Sequence, residues 1–191
     1  MIGQPEVGVF IPTRSGRRLD LAAPASDDIE IVDIAAGLAR RFRWSGQTDY
    51  TVAQHSVAVS TRLEGDEARW GLLHDAAEAF YPDVARPLKA RLMVCEPFGP
   101  RQLIREFRDC EDRLLMAIAN RFGLPWPIPP SVHEADDREL AREARDLFED
   151  RPMLWAIGPN HADPYPDRID VSPWPLVENL FLKRYAELFG D

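Results

Sequence analysis

Apolar positions recur along this chain with two different periods. In VGVFIPTRSGRRLDL (residues 7–21) two short apolar runs flank Ser15-Gly16, a turn signal, and predict a small β-hairpin. From Ser26 onward the period becomes helical. Ser26 is expected to cap a helix with acids in its first turn, and Ile31, Ile34, Ala35 and Leu38 then recur at helical spacing. Thr51 to Leu63 predicts a second helix, with Val52, His55, Ser56, Val59 and Leu63 on one side. Glu67 to Ala79 predicts a third. It is apolar almost all round apart from its charged start and HDAAE, which suits the centre of a domain. Arg101 to Phe122 reads as one long amphipathic helix, stopped by Gly123 and Pro125. Ser131, or the acids after it, is expected to open a helix that runs through Phe148. The proline-rich stretch 151–175 predicts an irregular excursion, and Pro175 then begins a last helix, Leu176 to Phe189. The pattern amounts to an all-α helical bundle with a small N-terminal β-hairpin. It forms one domain over 1–191, with its core over about residues 26–150.

Bulk composition narrows the function classes. At 191 residues with 45% hydrophobic and 29% charged positions, the chain has the make-up of an ordinary globular protein. A net charge of −9 disfavours a nucleic acid duplex as partner. It leaves room for a small anion, because a local basic pocket or a bound ion can dominate a site. Cys95 and Cys110 form no CxxC and no disulfide framework, so a reducing, cytoplasmic setting is expected. The first residues lack the form of a signal peptide, and no run approaches ~18 continuous apolar residues, so no membrane association is predicted.

The chemistry concentrates around two of the four histidines, His55 and His74, both in mostly apolar helical segments. A lone histidine on such a face is ordinarily a hydrogen-bonded core residue. His74 is different because Asp75 follows at once and Glu78 comes four residues later, the spacing that puts His74 and Glu78 on one face of a continuous helix. An ionised carboxylate buried there costs several kcal/mol unless it is paired or bound to metal. A divalent ion would relieve Asp75 and take the neutral imidazole of His74.

TDYTVAQHSVAVS, followed nineteen residues after its histidine by HDAAEAFYPDVARPLK, resembles the HD-domain metal-dependent phosphohydrolases. It is most similar to the branch of bacterial 5′-deoxynucleotidases and phage-type deoxynucleoside triphosphohydrolases, from about Ser15 to Phe189. The resemblance implies an HD-type helical bundle that works as a homo-oligomer on a nucleotide substrate. It implies His55, His74, Asp75 and a distal aspartate as ligands of Mn²⁺, Co²⁺, Fe²⁺ or Mg²⁺. Helical geometry alone favours Asp137 as that aspartate, since it lies nearer the stripe of Leu140, Ala144 and Leu147. The resemblance sets the aspartate seven residues before a glutamate matching Glu143, and so selects Asp136. It further implies Glu78 as the catalytic acid or base, and Asp83 beside the sugar or the attacking water. Arg43 and Trp44 of RFRW, with Lys89 of RPLK, fall where the branch contacts substrate. Two other readings are a phosphohydrolase for a cyclic nucleotide or guanosine polyphosphate, and a catalytically silent regulatory HD scaffold. The complete set of His55, His74, Asp75 and Glu78 argues against silence.

Overall fold

The N-terminal hairpin forms around Ser15-Gly16. β1 (Phe10–Pro12) pairs antiparallel with β2 (Arg18–Asp20), with Ile11 opposite Leu19. Gly16 takes φ 84° in the turn, a conformation that glycine adopts without steric cost. The turn is tied to the bundle by the buried Asp33, whose two carboxylate oxygens accept from Ser15 N (2.6 Å) and Ser15 Oγ (2.8 Å). The structure, a computed structural model, describes residues 10–82, 84, 86–96, 103–148, 157 and 162–190. Among these the chain is mostly helical, and no helix is long and apolar enough to cross a membrane.

The helices are α1 (Ile31–Ala39), α2 (Arg43–Gly46), α3 (Val52–Ser60), α4 (Gly65–Leu73), α5 (Arg86–Lys89), α6 (Phe107–Phe122), α7 (Pro130–Asp146) and α8 (Trp174–Phe189). Three expectations are corrected. Ser26 begins a separate 3-10 turn, Ser26–Asp28, and α1 starts at Ile31 after Glu30 with no side-chain cap. The helix expected over Glu67–Ala79 ends at Leu73; a 3-10 turn, Ala76–Ala79, follows His74 and Asp75. Neighbours on an α-helix project about 100° apart, so a break here lets His74 and Asp75 turn toward a common point. The helix expected from Arg101 begins at Phe107. Leu103–Glu106 is instead a strand, β4, paired antiparallel with β3 (Met93–Glu96), so the fold carries a second two-stranded ribbon. β-Branched Val94 and Ile104 lie within it, and the apolar spacing of 103, 104 and 107 does not distinguish the two structures.

Helices α3 and α4 pack against one another, and α8 and α7 each pack against both. The fully buried Val52, Val59, Trp70, Leu72, Leu73, Leu114, Ile118, Val177 and Phe181 fill the space between them. Gly71 sets the α3–α4 spacing. A Cβ built on it would stand 2.9 Å from Ser60 Cα, closer than such contacts occur. Gly71→Ala is therefore expected to force the two helices apart, at about 1–3 kcal/mol for overpacking. That corresponds to a melting temperature lower by roughly 3–10 °C in a chain of this size. Thermal unfolding of the metal-free protein measures it, and an unchanged Tm would mean that α4 shifts without cost.

Candidate metal centre

Three helices deliver the polar side chains at the heart of the bundle. Arg41 and Thr51–Val52 pinch the chain just ahead of α3: Val52 N donates to Arg41 O at 2.9 Å, and Arg43 N to Tyr50 O at 2.8 Å. Thr51 caps α3 by accepting from Gln54 N at 3.2 Å. His55 follows in the first turn of α3, fully buried. His74 stands just past α4 and Asp75 beside it, while Asp136 projects from α7.

His55, His74 and Asp136 form a buried group that could hold a metal ion, with one ligand atom from each lying within 4.8 Å of the others. His55 Nε2 lies 3.2 Å from His74 Nε2 and 3.0 Å from Asp136 Oδ1. Asp75 Oδ2 is 3.4 Å from His74 Nε2 and 3.8 Å from His55 Nε2. Asp136, rather than the exposed Asp137, is thus the α7 acid at the histidine pair.

The opposite edges of both rings are committed. His74 Nδ1 is 2.8 Å from the carbonyl oxygen of Gly71, which can only accept, so this nitrogen carries the proton. His55 Nδ1 is 2.7 Å from Glu143 Oε1, and a carboxylate likewise only accepts. If both rings are neutral, their Nε2 lone pairs face each other at 3.2 Å in a buried site. That arrangement is repulsive without a cation between them. At ligand bonds of about 2.1 Å, a separation of 3.2 Å subtends about 100° at the ion, which a six-coordinate or a tetrahedral ion accepts. The donor set, imidazole with carboxylate, suits Mn²⁺, Co²⁺, Fe²⁺ or Mg²⁺, and the residues present therefore fit such an ion.

The electrostatics tell the same story. Burial and the nearby Arg43 both push the imidazolium of His55 toward losing its proton. Glu143 and Asp136 outweigh them and raise its pKa from 6.5 to about 9. A positive charge at this point is what the surrounding acids stabilise, whether proton or metal. Burial pushes the carboxyls of Asp75 and Asp136 up, but the histidines prevail and hold both well below the usual range.

Arg43 and Trp44, expected at the substrate, both donate to Glu143 Oε2. Arg43 Nε does so at 2.7 Å and Trp44 Nε1 at 3.0 Å. Arg43 Nη1 also reaches Asp75 Oδ2 at 3.5 Å, beside the histidine pair. Trp44 packs edge-on against Phe148, with ring centroids 5.2 Å apart. Trp44 and Ser45 have φ of 58° and 54°, a left-handed backbone that costs roughly 1–2 kcal/mol per non-glycine residue. Glu143 is fully buried and was legible from the sequence only as a landmark seven residues beyond Asp136. The signal was there: positions i and i+7 share a helical face, and Glu139 between them is fully buried as well.

Glu78 is buried beside Lys89, whose Nζ is 3.4 Å from Glu78 Oε1 and 2.8 Å from Glu111 Oε1. Burial alone would lower the pKa of Lys89, but Glu78, Glu111 and Asp75 together raise it, which puts this trio within electrostatic reach of the metal group. With the helix broken after Leu73, Glu78 does not share a helical face with His74 as the spacing suggested. Asp83 lies outside the described residues.

No family model matches the chain. Two relatives do. The uncharacterized protein RCAP_rcc00048 of Rhodobacter capsulatus is 40% identical over 132 residues, covering 63% of this chain and 62% of that protein. The chain therefore matches about three fifths of the length of the Rhodobacter relative. The uncharacterized protein YfdR of Escherichia coli (strain K12) is 33% identical over 150 residues. With that match covering 78% of each of the two chains, this protein belongs to the same family as Escherichia coli YfdR.

Proposed function

We propose that the protein is an HD-type, metal-dependent phosphohydrolase acting on deoxynucleoside 5′-phosphates, with His55, His74, Asp75 and Asp136 as ligands of the ion. One observation carries the reading. Two buried imidazoles face each other through Nε2 at 3.2 Å, their far nitrogens are committed to acceptors, and two carboxylates stand within 3.8 Å of His55 Nε2. In the metal-free protein a proton on His55 Nε2 can be shared with Asp136 and His74, and a divalent ion would take its place between the same atoms.

When bound, the ion acts as Lewis acid on a phosphoryl oxygen and makes water acidic enough to attack at neutral pH. The chain does the rest. Asp75 and Asp136 balance the charge of the ion. Arg43, beside Asp75, and Lys89, beside Glu78, supply the positive charge that a phosphate needs in an acidic protein. Glu78 is the group that orients the attacking water or moves its proton, a role suited to a buried carboxylate next to a lysine. Support for a deoxynucleotide comes from the likeness of VAQHS, HDAAE and RPLK to the deoxynucleotidase branch.

The test is a panel. Protein stripped of metal and reloaded with Mn²⁺, Co²⁺ or Mg²⁺ is incubated with deoxy- and ribonucleoside mono- and triphosphates, cyclic nucleotides and a guanosine polyphosphate. Release of phosphate or triphosphate from the deoxynucleotides is the expected result. Turnover confined to cyclic nucleotides or the guanosine polyphosphate would move the substrate class. Binding without turnover under all three metals would make the chain a regulatory scaffold.

A further inference from the structure

We infer that Glu143 is a positioning residue of the metal centre, held in place by the Arg43–Trp44 turn. The inference rests on the metal reading above and extends it to a carboxylate that would not itself bind the ion. Glu143 is fully buried and receives three N–H groups: His55 Nδ1 on Oε1, and Arg43 Nε and Trp44 Nε1 on Oε2. A carboxylate accepts at both oxygens, and here every contact is a donor. The consequence for His55 is a fixed tautomer. Nδ1 keeps its proton, so Nε2, aimed at His74 and Asp136, is the nitrogen left to bind an ion.

Arg43 and Trp44 in turn keep Glu143 from rotating away. Both lie in the turn Arg43–Gly46, where Trp44 and Ser45 adopt left-handed backbone, and both donate to Glu143 from there. The indole N–H of Trp44 is therefore assigned to the metal centre and not to a nucleotide base.

Glu143→Gln tests this with almost no change of shape. Glutamine offers one accepting oxygen and one NH₂ in place of two acceptors. Either the NH₂ meets the N–H groups of Arg43 and Trp44, or it meets His55. In the second case the ring must move its proton to Nε2, where a metal would bind. Co²⁺ titration, followed by its visible absorption and by competition with a chelator, is expected to show 10–100-fold weaker binding in Glu143→Gln. Trp44→Phe, which keeps the ring and removes one donor, is expected to weaken Co²⁺ binding several-fold in the same direction, and it serves if Glu143→Gln does not fold. The Tm of the metal-free protein is measured beside each, because a merely structural role would move that value and leave Co²⁺ affinity alone. Wild-type Co²⁺ affinity and spectrum in both variants would overturn the inference while leaving the metal centre standing. Failure of the wild-type chain to take up Co²⁺ or Mn²⁺ at all would overturn the metal reading and this inference with it.

Discussion

Replacing His74 with alanine is expected to remove stoichiometric divalent metal from the purified protein and to abolish hydrolysis with it. The ring contributes one of the two facing Nε2 atoms, and its far edge is anchored to the carbonyl of Gly71. Its loss should leave the helices in place, because His74 follows the last residue of α4 and the neighbouring Leu72, Leu73, Ala76 and Ala77 keep their places in the apolar core. The loss in affinity should exceed the 10–100-fold that follows removal of a residue merely supporting a ligand. Elemental analysis of wild-type and variant protein, with thermal unfolding to confirm the fold, measures it. Retention of one ion per chain at wild-type affinity would place the metal elsewhere. Asp136→Ala against Asp137→Ala is the matching comparison on α7, where only the first should lose the ion.

Glu78→Gln should separate binding from chemistry. The variant is expected to keep its metal and its affinity for nucleotide while kcat falls by about 10²–10⁴, the usual scale of general acid–base assistance. The surroundings favour a clean result. Lys89 keeps Glu111 at 2.8 Å when the charge of Glu78 is removed, so no cation is left stranded in the bundle. Glutamine also preserves the volume of a buried side chain. Steady-state kinetics with the substrate found in the nucleotide panel, together with metal content, gives the answer. Turnover at the wild-type rate would take Glu78 out of the mechanism.

How far the sequence foretold this arrangement differs from element to element. The hairpin around Ser15-Gly16 and the buried face of α3 (Val52, His55, Ser56 and Val59) follow directly from period and turn chemistry. The break at His74 does not. LLHDAAEAF has no proline or glycine, and helix propensity runs straight through it; the interruption, with Asp75 at φ −97° and ψ 12°, has no local sequence signal. The β3–β4 ribbon was hidden for a different reason, since Leu103, Ile104 and Phe107 satisfy helical and extended patterns equally over so short a run. The likeness to a family points to Asp136 and the helical stripe to Asp137, and it is Asp136 that lies beside the histidine pair. On α7 the inward face is partly made of acids: Asp136, Glu139 and Glu143. A search for apolar periodicity treats those as the solvent side.

The contact between Gly71 and Ser60 has a bearing on how the centre would hold an ion. The two helices approach too closely there for even a methyl group on residue 71, so their spacing depends on the glycine. The carbonyl of the same Gly71 fixes the edge of His74. One residue without a side chain thus acts as a gauge for the gap between the two imidazoles. Ca²⁺ prefers oxygen ligands at about 2.3–2.6 Å, so two imidazole nitrogens are a poor seat for it because of their donor type. The spacing of two ligands would then depend on a position that never touches the ion, and a bulkier residue at 71 is expected to disturb metal affinity as well as the melting temperature.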